Sequence, residues 1–206
     1  RMPELELIYF PVKGRAEIIR NVLRYAGIKF TDTQINREEF VKQSTGGEFP
    51  AGQVPVLKID GKALCESQAI LHYALQEAKM VPSDHLQAAY IDEAAMVFVS
   101  VLDLMAGLYK RPEAADEIRA NWITTALPRI NNYVGLRGGD STTYIVNNKF
   151  TYADIMAYTV LYQQLTEAPC NISFSTFQEK APKLAAYLDN LLKSPEIQKL
   201  KQHEQC

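Results

Sequence analysis

The alternation of apolar and polar positions predicts that the chain begins with a strand that leads directly into a helix. From Leu5 to Phe10, side chains alternate with the two-residue period of a strand, and the last two positions are Tyr9 and Phe10. Gly14 then gives the backbone freedom to turn before an amphipathic helix from about Arg15 to Ala26. This pattern places Tyr9 beside the start of a helix.

The pattern changes period several times more before residue 78. It predicts a strand near 30–35, a short helical piece at 38–43, two strands at 54–59 and 62–65, and a helix at 67–77. Asp60-Gly61 between the last two strands is a strong signal for a two-residue hairpin. The order βαβαββα, with an early parallel pair and a later antiparallel hairpin, predicts a thioredoxin-like sheet.

The chain beyond residue 83 has almost no strand signal. Apolar residues at spacings of three and four predict one long helix near Ala88 to Tyr109. Further helices are expected near 113–134, with a kink or interruption at Pro128, and near 151–166, where Thr151 and Asp154 form an N-terminal cap. Ser194-Pro195 predicts the start of a last helix.

These patterns predict an α/β domain followed by an all-α domain. We expect a thioredoxin-like domain at residues 1–78, a linker at 79–83 and a helical domain at 84–206. With 47% hydrophobic residues, the chain has enough apolar side chains for a core in each domain.

Charge and apolar content argue against two classes of partner. The 206 residues carry a formal net charge of −2 and no long run of lysine or arginine, which disfavours binding to nucleic acid or to an anionic membrane. No apolar stretch is long enough to span a bilayer, and no apolar signal segment follows the N-terminus. We therefore expect a cytoplasmic protein.

The cysteines and histidines favour neither a disulfide framework nor a metal site. Cys65, Cys170 and Cys206 include no close pair and no CxxC redox motif. The three histidines lack the spacing of metal ligands, so we predict no metal. Any thiol chemistry must then use a thiol that the substrate supplies.

Three segments besides Tyr9 could bind a small polar ligand. If the Val54-Pro55 bond is cis, the valine backbone is free to pair with a peptide; otherwise this proline only marks the start of a strand. Glu66-Ser67 begins a helix, where free amides suit a carboxylate and Glu66 suits an ammonium group, although such a serine is more commonly just a helix cap. Phe40 and Lys42, together with Gln53, offer an aromatic wall, a cation and an amide, or simply a solvated loop.

A tyrosine phenol has an ordinary pKa near 10, so at neutral pH it donates a hydrogen bond and suits a thiolate or oxyanion. Tyr9 and the three other segments together predict a binding site for a short peptide with a zwitterionic end. Glutathione is a peptide of this form. The chain resembles the sigma class of cytosolic glutathione transferases, which includes haematopoietic prostaglandin D synthase. The motifs that carry the resemblance are Tyr9-Phe10-x-x-x-Gly14-Arg15-Ala16-Glu17, Gln53-Val54-Pro55-Val56-Leu57, Glu66-Ser67-Gln68-Ala69-Ile70 and Thr151-Tyr152-Ala153-Asp154.

This resemblance implies that glutathione is a co-substrate and that the protein is a homodimer. It assigns thiolate stabilisation to Tyr9 and a share in setting the thiol pKa to Arg15. The glutathione-binding residues that it implies are Tyr9, Phe10, Arg15, Phe40, Lys42, Gln53, Val54, Pro55, Glu66 and Ser67. The walls that it implies for an acceptor pocket are Val12, Gly14, Leu102, Met105, Met156 and Val160.

The resemblance implies an enzyme that conjugates glutathione to apolar electrophiles, with glutathione-dependent prostaglandin isomerisation as a second activity. A crystallin-like structural or ligand-carrying protein on the same fold is the alternative. A thiol-disulfide oxidoreductase is disfavoured because the chain has no CxxC motif. Val99-Ser100 replaces an acidic pair that binds magnesium in some members of the class, so we predict no effect of magnesium.

Overall fold

The computed structural model describes residues 2–138 and 142–204. The chain forms two compact units, Arg1–Val81 and Pro82–Cys206. The elements of the first unit are β1 (Leu5–Tyr9), a 3-10 turn (Gly14–Ala16), α1 (Glu17–Tyr25), β2 (Thr31–Gln34), α2 (Arg37–Thr45), β3 (Val56–Ile59), β4 (Lys62–Cys65) and α3 (Ser67–Glu77).

The first unit contains a mixed four-stranded sheet with the strand order β2-β1-β3-β4. β1 pairs in parallel with β2 and antiparallel with β3, and β3 pairs antiparallel with β4. Leu7 and Leu57 lie opposite each other in the two central strands, and both are fully buried. The predicted thioredoxin-like order βαβαββα is confirmed.

The turn between β3 and β4 has the backbone that the sequence predicts. Asp60 and Gly61 have φ angles of +47° and +80°, which match a primed hairpin turn whose twist suits the flanking strands. Asp60 Oδ1 also accepts a hydrogen bond from the Glu4 amide at 2.9 Å.

The described part of the second unit is built from helices. Its elements are α4 (His85–Val99), α5 (Val101–Lys110), a 3-10 turn (Pro112–Ala114), α6 (Ala115–Arg137), α7 (Tyr152–Met156), a π-helix (Ala157–Gln164), α8 (Phe174–Lys180), α9 (Pro182–Lys193) and α10 (Pro195–Glu204). No helix in the described part of the chain is long and apolar enough to cross a membrane.

The predicted cap at Thr151 is present. The Thr151 hydroxyl accepts a hydrogen bond from the Ala153 amide at 3.3 Å, and Asp154 Oδ2 accepts one from the Thr151 amide at 2.8 Å. Asp154 Oδ1 accepts further hydrogen bonds from the Ile145 amide at 2.9 Å and the Tyr187 hydroxyl at 2.8 Å. Asp154 therefore links α7 to two other segments of the helical unit, besides capping α7.

The prediction of one helix from Ala88 to Tyr109 is wrong, because the structure has two helices that meet at Ser100. The Ser100 hydroxyl donates to the Val97 carbonyl at 2.8 Å, and the Asp103 amide donates to the Ser100 carbonyl at 3.2 Å. A serine that bonds to a nearby carbonyl competes with the regular helix ladder.

The interruption expected at Pro128 is absent, and α6 runs from Ala115 to Arg137. Proline removes the hydrogen bond to the carbonyl four residues earlier, which here belongs to the exposed Thr124. The buried neighbours Leu127 and Ile130 pack the same stretch of helix into the core.

The predicted helix at 151–166 is not a regular α-helix, because residues 157–164 adopt π-helical geometry. This stretch is almost entirely buried and carries polar side chains. The Thr159 hydroxyl donates to the Ile155 carbonyl at 2.7 Å, so a side chain takes up backbone bonding capacity where the helix widens.

Candidate active site

The turn after β1 brings the Tyr9 hydroxyl against the backbone of residues 14 and 15. The Arg15 amide donates a hydrogen bond to Tyr9 Oη at 3.3 Å. Gly14 has a φ of +44°, and a Cβ built on it would lie 2.6 Å from Tyr9 Oη. Both the backbone angle and the close approach therefore require glycine at position 14.

This geometry sets the direction in which the Tyr9 hydroxyl donates. Because Oη accepts a hydrogen bond from the Arg15 amide, its own proton is available for a ligand. Accepting one hydrogen bond also polarises the hydroxyl and makes it a better donor. The arrangement suits the stabilisation of an anion.

A cavity of about 280 Å³ lies next to this turn. Six residues line it, and all six belong to the glutathione-binding set predicted from the sequence: Arg15, Gln53, Val54, Pro55, Glu66 and Ser67. They come from the 3-10 turn, the loop before β3 and the start of α3. Tyr9 does not line the cavity, but its hydroxyl is hydrogen-bonded to the amide of Arg15, which does.

Three residues of the loop before β3, Gln53, Val54 and Pro55, line the cavity. The Val54-Pro55 peptide bond is cis. β3 begins at Val56, so the backbone of Val54 lies outside the strand ladder. Backbone groups outside a ladder are those with which a peptide ligand can pair.

The start of α3 offers an anion site on another side of the cavity. Glu66 occupies the N-cap position with a φ of +70°, which is uncommon for a residue with a side chain, and its carboxylate does not cap the helix. The first amides of α3 thus have no side-chain partner at the N-cap, and the Ser67 hydroxyl lies beside them. Such helix N-termini bind carboxylates.

Besides Tyr9, three predicted glutathione-binding residues lie away from the cavity lining. Phe10 and Phe40 are 5.4 Å apart between ring centroids and pack on the core cluster that contains Ile8 and Val56. Lys42 is exposed on α2. The role of these side chains in glutathione binding stays a prediction.

The acceptor-pocket residues divide between the two units. In the first unit, Val12 is exposed and Gly14 is half-buried. In the second unit, α5 and the π-helix pack together, and the predicted walls are buried there: Leu102, Met105, Met156 and Val160.

Sequence reasoning missed a buried ionic cluster beside the Tyr9 turn. Arg20 is 3% exposed, and its guanidinium bonds to Glu17 and Asp32. Arg24 adds a second contact to Glu17 at 3.2 Å. The signal was a row of charged positions on α1 at spacings of three and four, which normally mark an exposed helix face.

The described residues contain no cluster of three or more metal-ligating side chains. At Val99-Ser100, where some members of the class have an acidic pair, the Ser100 hydroxyl lies 3.5 Å from a terminal nitrogen of Arg129.

The cysteines are at least partly buried where the structure describes them. Cys65 is half-buried and Cys170 is buried, and burial raises the pKa of the Cys170 thiol to about 11. Cys206 lies outside the described residues.

Comparison with known proteins identifies relatives over most of the chain. The family model of the glutathione S-transferase N-terminal domain matches residues 5–76, and that of the C-terminal domain matches residues 101–204. Glutathione S-transferase 3 of Caenorhabditis elegans is 30% identical over 203 residues, which cover 91% of this chain and 96% of that protein. Hematopoietic prostaglandin D synthase of Rattus norvegicus is 27% identical over 153 residues, covering 74% of this chain and 75% of the relative.

Solved structures share the fold over nearly the full length. Prostaglandin synthase D of Nilaparvata lugens superposes with a TM-score of 0.77 at 25% sequence identity. The superposition covers 97% of this chain and 98% of that structure.

Proposed function

Because the chain belongs to the glutathione S-transferase family, we propose that its N-terminal cavity binds glutathione and that Tyr9 stabilises the thiolate for transfer. The observation that carries this proposal is the cavity itself. Its six lining residues offer complementary groups to a zwitterionic peptide, and they adjoin the bond between the Arg15 amide and the Tyr9 hydroxyl.

The γ-glutamyl and cysteinyl units of glutathione have matching partners in the cavity. The α3 amides and the Ser67 hydroxyl bind the γ-glutamyl carboxylate, and Glu66 binds its ammonium group. The Val54 backbone pairs with the cysteinyl unit as an added strand would. Gln53 contributes an amide on the same side of the cavity. These contacts fix the tripeptide so that its thiol faces the Tyr9 turn.

Tyr9 and Arg15 then act on the thiol. Lowering a thiol pKa from about 9 to between 6 and 7 requires roughly 3 kcal/mol of preferential stabilisation of the thiolate. One hydrogen bond to a charged group, together with a nearby guanidinium, supplies an effect of this size. The thiolate is the reactive form at neutral pH.

In the transfer step the sulfur forms a bond to an electrophilic carbon. With an aryl halide, the carbon–halogen bond breaks and the halide leaves with the bonding electrons, while the thiol proton has already passed to solvent. The acceptor is an apolar electrophile, and a role in detoxification follows from this chemistry. We further propose that the enzyme is of the sigma class and works in the cytoplasm.

The first test is Tyr9→Phe, assayed by conjugation of 1-chloro-2,4-dinitrobenzene and by the thiolate absorbance of bound glutathione. We expect turnover at pH 7 to fall about tenfold or more and the thiol pKa to rise by more than one unit, because the hydrogen bond is lost. The glutathione Michaelis constant should change little, since the carboxylate and ammonium contacts lie elsewhere.

Tyr73→Phe, a change on α3 in the same unit, is the matched control and should leave both quantities unchanged. An unaltered thiol pKa in Tyr9→Phe would refute the role proposed for Tyr9. Negligible turnover of the unmodified protein with a panel of electrophiles would instead favour the crystallin-like alternative.

Isomerisation of a prostaglandin endoperoxide is a second candidate activity. It is favoured by the similarity to proteins named prostaglandin D synthase. Such a reaction rearranges the substrate without net consumption of glutathione. Incubation with an endoperoxide and chromatography of the products tests it, because a product mixture identical to that of uncatalysed decay would exclude this activity.

A further inference from the structure

We propose that Arg20 is a positioning residue that holds the Tyr9 turn in its reactive geometry, an inference that rests on the function proposed for Tyr9. Arg20 lies on α1, outside the lining of the glutathione cavity. Its Nη1 donates to the Val12 carbonyl at 3.0 Å. Val12 lies in the short connection between Tyr9 and Gly14, so this bond fixes the middle of the turn.

The same guanidinium also contacts the Tyr9 side chain. Its central carbon lies 5.9 Å from the centroid of the Tyr9 ring, within the range of a cation–π contact. Nη1 donates to Glu17 Oε2 at 3.0 Å and Nε donates to Asp32 Oδ1 at 3.1 Å. Arg20 therefore connects α1, β2 and the turn, and its guanidinium packs against the Tyr9 ring.

Stability alone does not account for this arrangement. Removing two charges from water is costly, and apolar side chains of similar volume are often as stabilising as a buried ion pair. The Nη2 atom of Arg20 is buried and has no hydrogen-bond partner among the described residues, which adds a further cost. The buried position of Arg20 is therefore better explained by its role in positioning the Tyr9 turn.

A direct electrostatic effect on Tyr9 is also a poor explanation. Arg20 and Arg24 contribute two positive charges, and Glu17 and Asp32 contribute two negative charges within the same set of ion pairs. The cluster is neutral, so its field at the phenol is small. The forked geometry of arginine, which bonds to a carbonyl and two carboxylates at once, is the feature that matters.

The Tyr9 hydroxyl has little room to move relative to the backbone of residues 14 and 15. Tyr9 Oη lies 3.3 Å from the Arg15 nitrogen and 2.6 Å from the position that a Cβ on residue 14 would occupy. A shift of a few tenths of an ångström in the turn would lengthen the first distance or misdirect the hydroxyl proton. Small misplacements of this kind lower rates strongly.

The decisive variant is Arg20→Lys, which keeps the charge but loses the fork. We expect the pKa of bound glutathione to rise by about one unit and kcat at pH 7 to fall about tenfold, while the glutathione KM stays within about twofold. Arg24→Lys is the matched control, because Arg24 bonds to Glu17 and Asn21, whereas the Val12 carbonyl accepts its hydrogen bond from Arg20. It should leave the thiol pKa, kcat and KM within about twofold.

Thermal unfolding of each variant separates a folded enzyme from a damaged one. A folded Arg20→Lys protein with an unchanged thiol pKa and kcat overturns the proposal, and so does a parallel loss in both arginine variants. If Arg20→Lys does not fold, Asp32→Asn replaces it, because this partly exposed residue holds only the Nε side of the guanidinium. A rise in the thiol pKa then supports the proposal, and no rise overturns it.

Tyr9→Phe distinguishes this inference from the function on which it rests. If Tyr9→Phe raises the thiol pKa and Arg20→Lys does not, only the role of Arg20 fails. If neither variant changes the pKa, the role of Tyr9 fails as well. In the double variant, Arg20→Lys should add no further rise, since its effect passes through the Tyr9 hydroxyl.

Discussion

The Tyr9 hydroxyl is held from three directions by groups that lie close in sequence. The Arg15 amide donates to it, the bare Cα of Gly14 faces it, and Arg20 packs over its ring. Two of these contacts involve backbone rather than side chains. A change of side chain at position 15 would therefore leave the amide contact intact, whereas any side chain at position 14 would enter the space of the hydroxyl.

We predict that Gly14→Ala lowers turnover at least tenfold by displacing the Tyr9 hydroxyl, because an added Cβ would lie 2.6 Å from Oη. Gly27→Ala is the control. Gly27 has a similar φ of +68°, so alanine suffers the same backbone strain, but a Cβ there would meet nothing within 4 Å. Both variants should lose some thermal stability, and only Gly14→Ala should lose activity. Equal activities would show that the contact with Tyr9 has no catalytic effect.

The sequence could identify the residues that line the cavity because each stands at the end of an element. Arg15 lies in the 3-10 turn before α1, Val54 precedes a strand through a proline, and Ser67 begins the last helix of the unit. Ends of elements can be read from local patterns. Arg20 could not be found in this way, since a charged residue within a helix normally faces solvent and only the fold shows that it is buried.

At the scale of elements, the sheet and its helices follow from periodicity, whereas irregular helix geometry does not. The junction at Ser100 depends on a hydroxyl that bonds to Val97, and the π-helix depends on buried polar side chains such as Thr159. Neither interrupts the apolar spacing of three and four. The hydrophobic pattern therefore predicted continuous helices in both places.

We predict that the start of α7 makes stability depend on pH. Burial raises the pKa of Asp154 from 3.8 to about 6, against the opposing effect of its hydrogen bonds. Since the folded-state pKa lies above the unfolded value, the contribution of Asp154 to stability is greatest below about pH 4 and is lost as pH rises through about 6. Denaturant unfolding of the protein and of Asp154→Asn between pH 4 and 7 should show this slope only in the unmodified protein.

Thr151→Ala is the control for this measurement, because it removes the other half of the cap without removing a titrating group. It should lower stability by about 1 kcal/mol and keep the pH slope. Identical slopes in all three proteins would show that Asp154 does not titrate in this range.

From the contacts at the junction of α4 and α5, we predict that magnesium does not change the activity of the protein. Ser100 bonds to Arg129 there, and a hard dication requires oxygen ligands without a neighbouring cation. Nearby carboxylates are engaged, since Asp92 accepts from Tyr152 and Glu93 accepts from Arg137. We expect millimolar magnesium to leave the glutathione KM and turnover as they are in sodium chloride of equal ionic strength. Activation beyond that control, reversed by EDTA, would point to a site built on Asp103 or its neighbours.

At the scale of the whole molecule, the fold persists at low sequence identity. The structure of the Nilaparvata lugens enzyme superposes over 97% of this chain although three quarters of the aligned residues differ. Cores tolerate such divergence when volume and patterning are retained. The fold can therefore be predicted from the pattern of the sequence although most aligned side chains differ from those of this relative.

We predict that the protein is a two-fold symmetric homodimer that uses the helical unit. Large apolar side chains are exposed there: Leu86, Tyr90 and Met96 on α4 and Leu136 on α6. The Arg137 guanidinium lies 4.7 Å above the Tyr90 ring and also pairs with Glu93, so α4 and α6 present one surface with an apolar and a charged part. Exposed apolar groups in this arrangement are typical of an interface, and two-fold symmetry lets one such surface pair with itself.

Sedimentation equilibrium at micromolar concentration should give twice the chain mass of 23.2 kDa. Leu136→Asp should shift the protein towards the monomer, because Leu136 is 77% exposed in the single chain and a dimer would bury a charge at that position. Val41→Asp, a similar change at an exposed apolar residue on α2, should leave the mass unchanged. A monomeric unmodified protein would refute the dimer, and a dimeric Leu136→Asp variant would move the interface to another face of the chain.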